Sequence, residues 1–276
     1  ALTDADYTLT VTATDAAGNT SVPSTELPIT IDTTAPDAPV ITTTTSLTNI
    51  ATPTITGTAE AGSTVELFNG SESLGTATAG SDGSFSITSS ALTDADYTLT
   101  VTATDAAGNT SVPSTELPIT IDTTAPDAPV ITTTTSLTNI TTPTIEGTAE
   151  AESIVELFNG SESLGTVIAA DNGTFLFDSY GELIDGSHQL TAISTDIAGN
   201  ISFSSQGLSI IVDTTEPEKP IIATTISTTN TGTPSITGST APGTTVTLLD
   251  GDNVLGSVTA GSDGSFSITS SALTDA

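Results

Sequence analysis

A long internal repeat constrains the fold more than any other feature of this sequence. Residues 1–50 are identical to residues 91–140, and the segment Asp32-Thr-Thr-Ala-Pro recurs at Asp122 and, with Glu in place of Ala, at Asp213. The spacings between these segments are 90 and 91 residues. A unit of this length is the size of one autonomous domain and is much longer than one solenoid repeat. The chain is therefore predicted to be a row of domains with separate cores.

The pattern inside one repeat predicts β-structure. The segment that starts at Tyr97 continues as Thr-Leu-Thr-Val-Thr-Ala-Thr. Apolar residues therefore alternate with threonine, as in a strand with one buried face. Turn signals such as Asn69-Gly70 recur at intervals of about ten residues. Seven strands, A to G, are predicted at about 39–45, 53–59, 64–69, 72–79, 84–89, 97–104 and 116–121. We therefore expect an all-β fold of tandem immunoglobulin-like seven-strand β-sandwich domains arranged as an elongated rod.

The repeat boundaries divide the chain into four segments. Residues 1–31 are predicted to supply strands F and G of a preceding domain, 32–121 and 122–212 to be complete domains, and 213–276 to supply strands A to E of a following domain. The two end segments are complementary parts of one sandwich, so the sequence looks like a piece of a longer protein. Open strand edges invite pairing, and we expect head-to-tail self-association by strand complementation.

The residue that opens strand F has a structural interpretation. Tyr97 stands at the E-to-F corner, where immunoglobulin-like folds often hold a tyrosine whose hydroxyl bonds to nearby backbone. The next domain has His188 at this position, and it is the only histidine of the chain. A corner role is therefore expected for His188 in place of a catalytic or metal-binding one.

Charge and composition exclude several classes of function. Thirty-three acidic residues and a single Lys or Arg give a formal net charge of -32. Such a chain lacks the basic surface that nucleic acid or an anionic membrane attracts, and its natural partners are cations. It contains no Cys and no apolar run long enough to span a membrane. Thiol chemistry and repeated histidine chemistry are excluded, and we expect no enzyme, although a carboxylate pair of the glycosidase type is not ruled out by composition.

Acidic residues that recur between the copies are the candidate metal ligands. Topology is expected to bring the linker acids near the F-to-G loop of the same domain and the E-to-F acids of the preceding one. Carboxylate, amide and carbonyl oxygens suit Ca²⁺, so a structural calcium site is predicted at each junction. The alternative is that the Asp and Asn side chains only shape turns through hydrogen bonds to the backbone. The candidates are Asp4, Asp15, Asn19, Asp32, Asp37, Asp94, Asp105, Asn109, Asp122, Asp127, Asp185, Asp196, Asn200, Asp213 and Glu218.

Two motifs together carry a resemblance to a known family. The linker that begins at Asp122, Asp-Thr-Thr-Ala-Pro-Asp-Ala-Pro, and the loop that begins at Asp105, Asp-Ala-Ala-Gly-Asn, resemble the bacterial Ig-like repeats of giant secreted adhesins and biofilm-associated surface proteins. The resemblance covers the whole chain. It implies extender stalks on the bacterial cell surface, export from the cell, and Ca²⁺ at the domain junctions.

The resemblance and the charge lead to one expected function and two rivals. The first expectation is a structural extender of an adhesin, whose partners are the neighbouring Ig-like domains of the same protein and whose location is extracellular. One rival is a self-assembling filament or surface-layer unit. The other is a glycan- or protein-binding Ig-like module, which exposed aromatic residues would support.

Overall fold

The computed structural model describes residues 2–225 and 228–273. These residues form strands and loops, with no helix among them, and nothing in this part of the chain is a helix able to cross a membrane. They group into two compact units. The first runs to residue 134 and includes 144–181 and 189–208; the second takes 135–143, 182–188 and the described residues from 209 onward.

A two-stranded hairpin comes first in the chain. Its antiparallel strands are β1 (Ala5–Leu9) and β2 (Leu27–Ile31). The hydroxyl of Tyr7 donates to the carbonyl oxygen of Thr3 at 2.8 Å. This contact fixes the corner that leads into β1.

Residues 32–121, all of which the structure describes, form a sandwich of two sheets. A three-stranded sheet has the order β3-β5-β8, and a five-stranded sheet has the order β4-β10-β9-β6-β7. This first sandwich confirms the predicted immunoglobulin-like fold. Its strands are β3 (Val40–Ile41), β4 (Leu47–Thr48), β5 (Thr54–Thr58), β6 (Thr64–Asn69), β7 (Glu72–Thr78), β8 (Ser84–Thr88), β9 (Ala95–Thr104) and β10 (Leu117–Ile121).

Two details of the predicted strand pattern are wrong. The predicted strand A, at 39–45, is divided: β3 pairs with β5 in one sheet, whereas β4 pairs in parallel with β10 in the other. The segment at 72–79, predicted as strand D, does not join the sheet of strand E. It forms β7, which pairs with β6 at the edge of the five-stranded sheet. Two residues, Gly70 and Ser71, connect β6 to β7, and a turn of this length favours pairing of the two strands that it joins.

The core of the first sandwich comes from the inward face of the alternating strands. Leu99, Val101 and Ala103 of β9 are fully buried, as the alternation from Tyr97 predicts. They pack with residues of the facing sheet such as Ile55. In the middle of β5, Gly57 leaves room for the ring of Phe85, because a Cβ there would lie 2.5 Å from Phe85 Cζ.

Residues 122–212 repeat this arrangement as a second sandwich. Its sheets have the orders β11-β13-β16 and β12-β18-β17-β14-β15. His188 occupies the corner position of Tyr97, and its Nε2 lies 2.7 Å from the carbonyl oxygen of Ile184, which confirms the corner role. The strands are β11 (Val130–Ile131), β12 (Leu137–Thr138), β13 (Ile145–Thr148), β14 (Ile154–Asn159), β15 (Glu162–Ile168), β16 (Thr174–Phe177), β17 (Gly186–Thr195) and β18 (Leu208–Val212).

The last segment contains a three-stranded sheet and a hairpin. The sheet has the order β19-β20-β23, and the hairpin is β21-β22. Phe266 and Ile268 are buried in a small core with Val246. The strands are β19 (Ile221–Ile222), β20 (Ser235–Ser239), β21 (Thr245–Asp250), β22 (Asn253–Thr259) and β23 (Ser265–Thr269).

Candidate metal ligands at the domain junctions

The acidic residue before each strand F binds the linker that follows its own domain. The Asp94 carboxylate accepts hydrogen bonds from the Thr123 backbone N–H at 2.9 Å, from Thr123 Oγ1 at 2.7 Å and from Thr124 Oγ1 at 2.6 Å. Asp185 makes the same set of contacts with Thr214 and Thr215. These contacts form because strand F begins where strand G ends, at the same end of the sheet. In the first copy, Asp4 accepts from the hydroxyls of Thr33 and Thr34.

These hydrogen bonds change the acidity of the carboxyl groups. The pKa of Asp94 is lowered, chiefly by the side-chain hydrogen bond from Thr124 and then by that from Thr123. The pKa of Asp4 is lowered in the same way, with the Thr33 hydroxyl as the largest cause. Because hydrogen bonds to the ionised form favour it, both carboxylates stay charged to lower pH than a free aspartate.

The second recurring set shapes the loop after strand F. Asp105 Oδ1 accepts from the N–H groups of Ala107 at 2.8 Å and Asn109 at 2.9 Å, and its Oδ2 accepts from Asn109 Nδ2 at 2.9 Å. The Asn109 side chain is therefore the largest cause of the lowered pKa of Asp105. Asp15 with Asn19 and Asp196 with Asn200 repeat the pairing.

The asparagine of this loop also reaches the linker that precedes its own domain. Asn109 Nδ2 donates to the backbone carbonyl oxygen of Asp32 at 3.1 Å, and Asn200 Nδ2 donates to that of Asp122 at 2.8 Å. Sequence topology predicted this proximity between the linker and the F-to-G loop. The contact involves the backbone of the linker aspartate, whereas its side chain faces its own turn.

The linker aspartates themselves cap the linker. Oδ1 of Asp32, Asp122 and Asp213 accepts from the N–H two residues later, at 3.0, 3.1 and 3.1 Å respectively. This is the hydrogen bond of an Asx turn.

The acids further along each linker lie in shallow surface grooves. Asp37 shares its groove with Glu60, and Asp127 shares the corresponding one with Glu150. Glu218 lies beside Lys219 and Ala241.

The grouping of acidic side chains among the described residues bears on the predicted calcium site. Ca²⁺ requires six to eight oxygen ligands, yet no three acidic or histidine side chains in residues 2–225 and 228–273 are grouped so that they could hold a metal ion. Asp94 and Asp105 already accept hydrogen bonds from the protein's own N–H and O–H groups. Asp275, the fourth copy of Asp94, lies outside the described residues. Calcium at the junctions stays a prediction.

The sequence did not predict that the linker threonines donate hydrogen bonds to these carboxylates. Thr123 and Thr124 recur as Thr33 and Thr34. The repetition of Asp-Thr-Thr is visible in the sequence, but carboxylate oxygens are the better calcium ligands, so the pattern indicated the aspartates and not the hydroxyl donors beside them.

Comparison with known proteins gives a family match. The sequence profile described as bacterial Ig-like domain matches residues 40–123 and 130–214, which together make up more than half of the chain. Exoglucanase B of Cellulomonas fimi is 32% identical over 235 residues, covering 75% of this chain and 20% of that protein. The chain thus spans about a fifth of the length of this relative.

Two solved structures are among those similar to this chain. The fibronectin(III)-like modules of Clostridium thermocellum CbhA are 18% identical, with a TM-score of 0.41, covering 62% of this chain and 92% of theirs. A tetra-tandem repeat in the extending region of a large adhesion protein is 26% identical, with a TM-score of 0.30, covering 100% of this chain and 76% of that one.

Proposed function

Because this chain belongs to the bacterial Ig-like domain family, a non-catalytic type of module, we propose that it is an extender (stalk) region of a bacterial cell-surface adhesin, outside the cell and without enzymatic activity of its own. It supports adhesion or biofilm formation by holding a binding region away from the cell. The partners of each domain are then its neighbours in the same protein.

This proposal rests on the linker between the two sandwiches, which is hydrogen-bonded to the domain before it and to the domain after it. Thr123 and Thr124 bond to Asp94 of the first sandwich, while the carbonyl oxygen of Asp122 accepts from Asn200 of the second. A flexible tether needs none of these contacts, because Gly- and Ser-rich linkers act as random coils. Pro126 further restricts the linker through its fixed φ. Contacts on both sides recur at the linker that begins at Asp32, and the contacts to the preceding domain recur at the linker that begins at Asp213. This repetition suits an extender.

The test is the distribution of distances between the two sandwiches. The chain contains no Cys, so Ser71→Cys and Ser161→Cys on the exposed hairpin turns provide a unique pair for spin labels. We expect pulsed electron paramagnetic resonance to give a narrow distance distribution that broadens in the Asp94→Ala, Asn200→Ala double variant. Asp82→Ala is the matched control, because Asp82 bonds only within its own turn, to Ser84. An equally broad distribution in the wild type would refute a fastened linker.

Calcium is tested in the same experiment. If the predicted junction site exists, added Ca²⁺ narrows the distance distribution and a chelator broadens it. If the hydrogen bonds alone hold the linker, neither addition changes the distribution.

Head-to-tail self-association is a second arrangement compatible with the stalk. The hairpin β1-β2 exposes Leu9 and Leu27, whose copies Leu99 and Leu117 are buried and half-buried in the first sandwich. Pairing of this hairpin with β21 of another molecule would cover them. Sedimentation at increasing protein concentration distinguishes this filament from a monomer.

The similarity to Exoglucanase B favours one further candidate, a spacer between the domains of a secreted enzyme. The same linker contacts would serve either protein. The sequence that flanks this chain decides between them: a catalytic domain there supports the enzyme spacer, and further repeats support the adhesin stalk.

A further inference from the structure

One row of outward-facing residues runs across the five-stranded sheet of each sandwich. In the first sandwich Thr64 of β6 lies opposite Thr78 of β7 on one side and Thr104 of β9 on the other. Thr104 in turn bridges to Thr110, with their hydroxyl oxygens 3.0 Å apart. All four residues of this row are threonine.

Three of the four residues in the same row of the second sandwich are apolar. Ile154 of β14 lies opposite Ile168 of β15 and Thr195 of β17, and Thr195 bridges to Ile201. The three isoleucines, which we call the isoleucine stripe, are 47%, 70% and 60% exposed respectively. Three threonines of one row have therefore been replaced by isoleucine without any gain in core packing.

The last segment shows that the threonine row is the common form. There Thr245 of β21 lies opposite Thr259 of β22, at the positions of Thr64 and Thr78. The stripe is thus confined to the second sandwich among the copies described in residues 2–225 and 228–273.

Further apolar side chains extend the stripe at both ends. Phe203, two residues after Ile201, is 88% exposed. Leu176 is also exposed and lines a shallow groove together with Ile168. The first sandwich has Val112 and Ser86 at these positions. Exposed apolar side chains that cluster on one face are typical of interaction sites in soluble proteins.

Acidic residues flank the stripe along β14. Glu156 stands two residues after Ile154 and therefore on its face of β14, and Glu152 lies in the turn that leads into the strand, two residues before Ile154. Glu152 has a φ of 62°, the only positive φ among the described non-glycine residues. The first sandwich has Gly62 there, with a φ of 81°. Backbone strain that a glycine would relieve is often retained at functional sites.

The charge of the chain indicates which kind of partner can bind the isoleucine stripe. The sequence has one Lys or Arg against 33 acidic residues, so the carboxylates beside the stripe draw their counter-charges from outside the chain. At the stripe, a second copy presents the same carboxylates and an anionic membrane presents its own negative charge, so neither supplies the counter-charge. Basic residues around an apolar centre complement the stripe and its margin.

We propose that the isoleucine stripe of the second sandwich, with Glu152 and Glu156 at its margin, is the docking face for a partner protein whose contact surface is apolar at its centre and basic at its edge. The first sandwich, with threonines in the same row, is then a spacer without this face.

The test uses short synthetic peptides and the whole chain. One peptide alternates Lys and Leu, and a control peptide alternates Lys and Ser, so that the two have equal charge. The Ile154→Thr, Ile168→Thr, Ile201→Thr variant restores the residues of the first sandwich and is expected to fold. We expect this variant to bind the Lys-Leu peptide about tenfold more weakly than the wild type does. Both proteins should bind the Lys-Ser peptide equally.

The converse variant is Thr64→Ile, Thr78→Ile, Thr110→Ile, which builds a second stripe and should add a second binding site for the Lys-Leu peptide. Equal binding of that peptide by the wild type and the threonine variant would overturn the proposal. So would a concentration-dependent rise in mass of the wild type that the threonine variant lacks, because the occupant would then be a second copy. The distance distribution across the linker should be unchanged in the threonine variant, which separates this test from that of the stalk.

Discussion

Glu152 stands at a backbone position that the first sandwich fills with glycine. Its φ of 62° lies in the left-handed region, as does the φ of 81° at Gly62. The surrounding turn is the same: the N–H of Glu152 donates to Ala169 O at 3.0 Å, and that of Gly62 donates to Ala79 O at 3.0 Å. The difference between the two sites is therefore the side chain.

The cost of that side chain follows from the backbone conformation. A non-glycine residue in the left-handed region loses about 1–2 kcal/mol. A glycine gives back about 0.4–1 kcal/mol through the greater freedom of the unfolded chain. Glu152→Gly is therefore expected to raise the unfolding free energy of the second sandwich by about 1 kcal/mol. Gly62→Glu should lower that of the first sandwich by a similar amount, because a Cβ at Gly62 meets no atom within 4 Å.

Amide hydrogen exchange in the whole chain reports each sandwich separately. Exchange of β14 through unfolding of the second sandwich should slow about fivefold in Glu152→Gly, since 1 kcal/mol is a factor of about five in an equilibrium constant. Exchange of β6 should accelerate similarly in Gly62→Glu, and each variant leaves the other sandwich unchanged as an internal control. Unchanged exchange of β14 and β6 in both variants would show that Glu152 is not strained. Under the docking proposal, Glu152→Gly also weakens binding of the Lys-Leu peptide while it stabilises the fold.

Three further variants test contacts in the first sandwich. Ser89 has a buried hydroxyl oxygen with no hydrogen-bond partner, so Ser89→Ala should raise the midpoint of urea unfolding, by an amount equivalent to about 1 kcal/mol; a lower midpoint would contradict this. Tyr97→Phe removes the hydrogen bond to Thr93 O, 2.9 Å long, and should lower the unfolding free energy by about 1 kcal/mol. The hydrogen bond from the Asn109 side chain is the main cause that lowers the pKa of Asp105 from 3.8. The ionised Asp105 carboxylate therefore stabilises the fold above pH 3.8, and this stabilisation is lost as the pH falls through the lower folded-state pKa. Asp105→Asn should flatten the dependence of melting temperature on pH in that acidic window, and an unaltered dependence would refute the assignment.

The strands were predictable because local alternation and burial coincide. The alternation that starts at Tyr97 predicted β9, and Leu99, Val101 and Ala103 are buried as expected. The turn signal Asn69-Gly70 likewise predicted where β6 ends. These features depend on residues that are close together in the sequence, so the sequence alone is enough to predict them.

The choice of sheet was not predictable in the same way. The segment at 72–79 alternates equally well in either sheet, and its pairing with β6 depends on how the rest of the domain packs. The division of the first strand has the same origin, because Val40 pairs with Thr58 while Leu47 lies beside Thr120. Local pattern cannot distinguish the two sheets of a sandwich.

The candidate ligands were located correctly in part. Sequence topology predicted that Asn109 approaches the linker at Asp32, and the hydrogen bond between them confirms it. It did not predict which donor each carboxylate would meet. Asp94 accepts from Thr123 and Thr124, whose hydroxyls compete with any metal for the same oxygens. Such a competition is identified from the distances between the threonine hydroxyls and the carboxylate in the folded protein.

Small-angle X-ray scattering of the chain, with and without Ca²⁺, tests the extender function most directly. We expect scattering from an elongated particle whose cross-section is that of one sandwich and whose length is about 40 Å per domain. If hydrogen bonds alone hold the linkers, a chelator leaves these dimensions unchanged. The Asp94→Ala, Asn200→Ala variant should scatter as a more flexible chain of the same mass. A compact particle in the wild type, or identical curves for wild type and variant, would contradict the extender function.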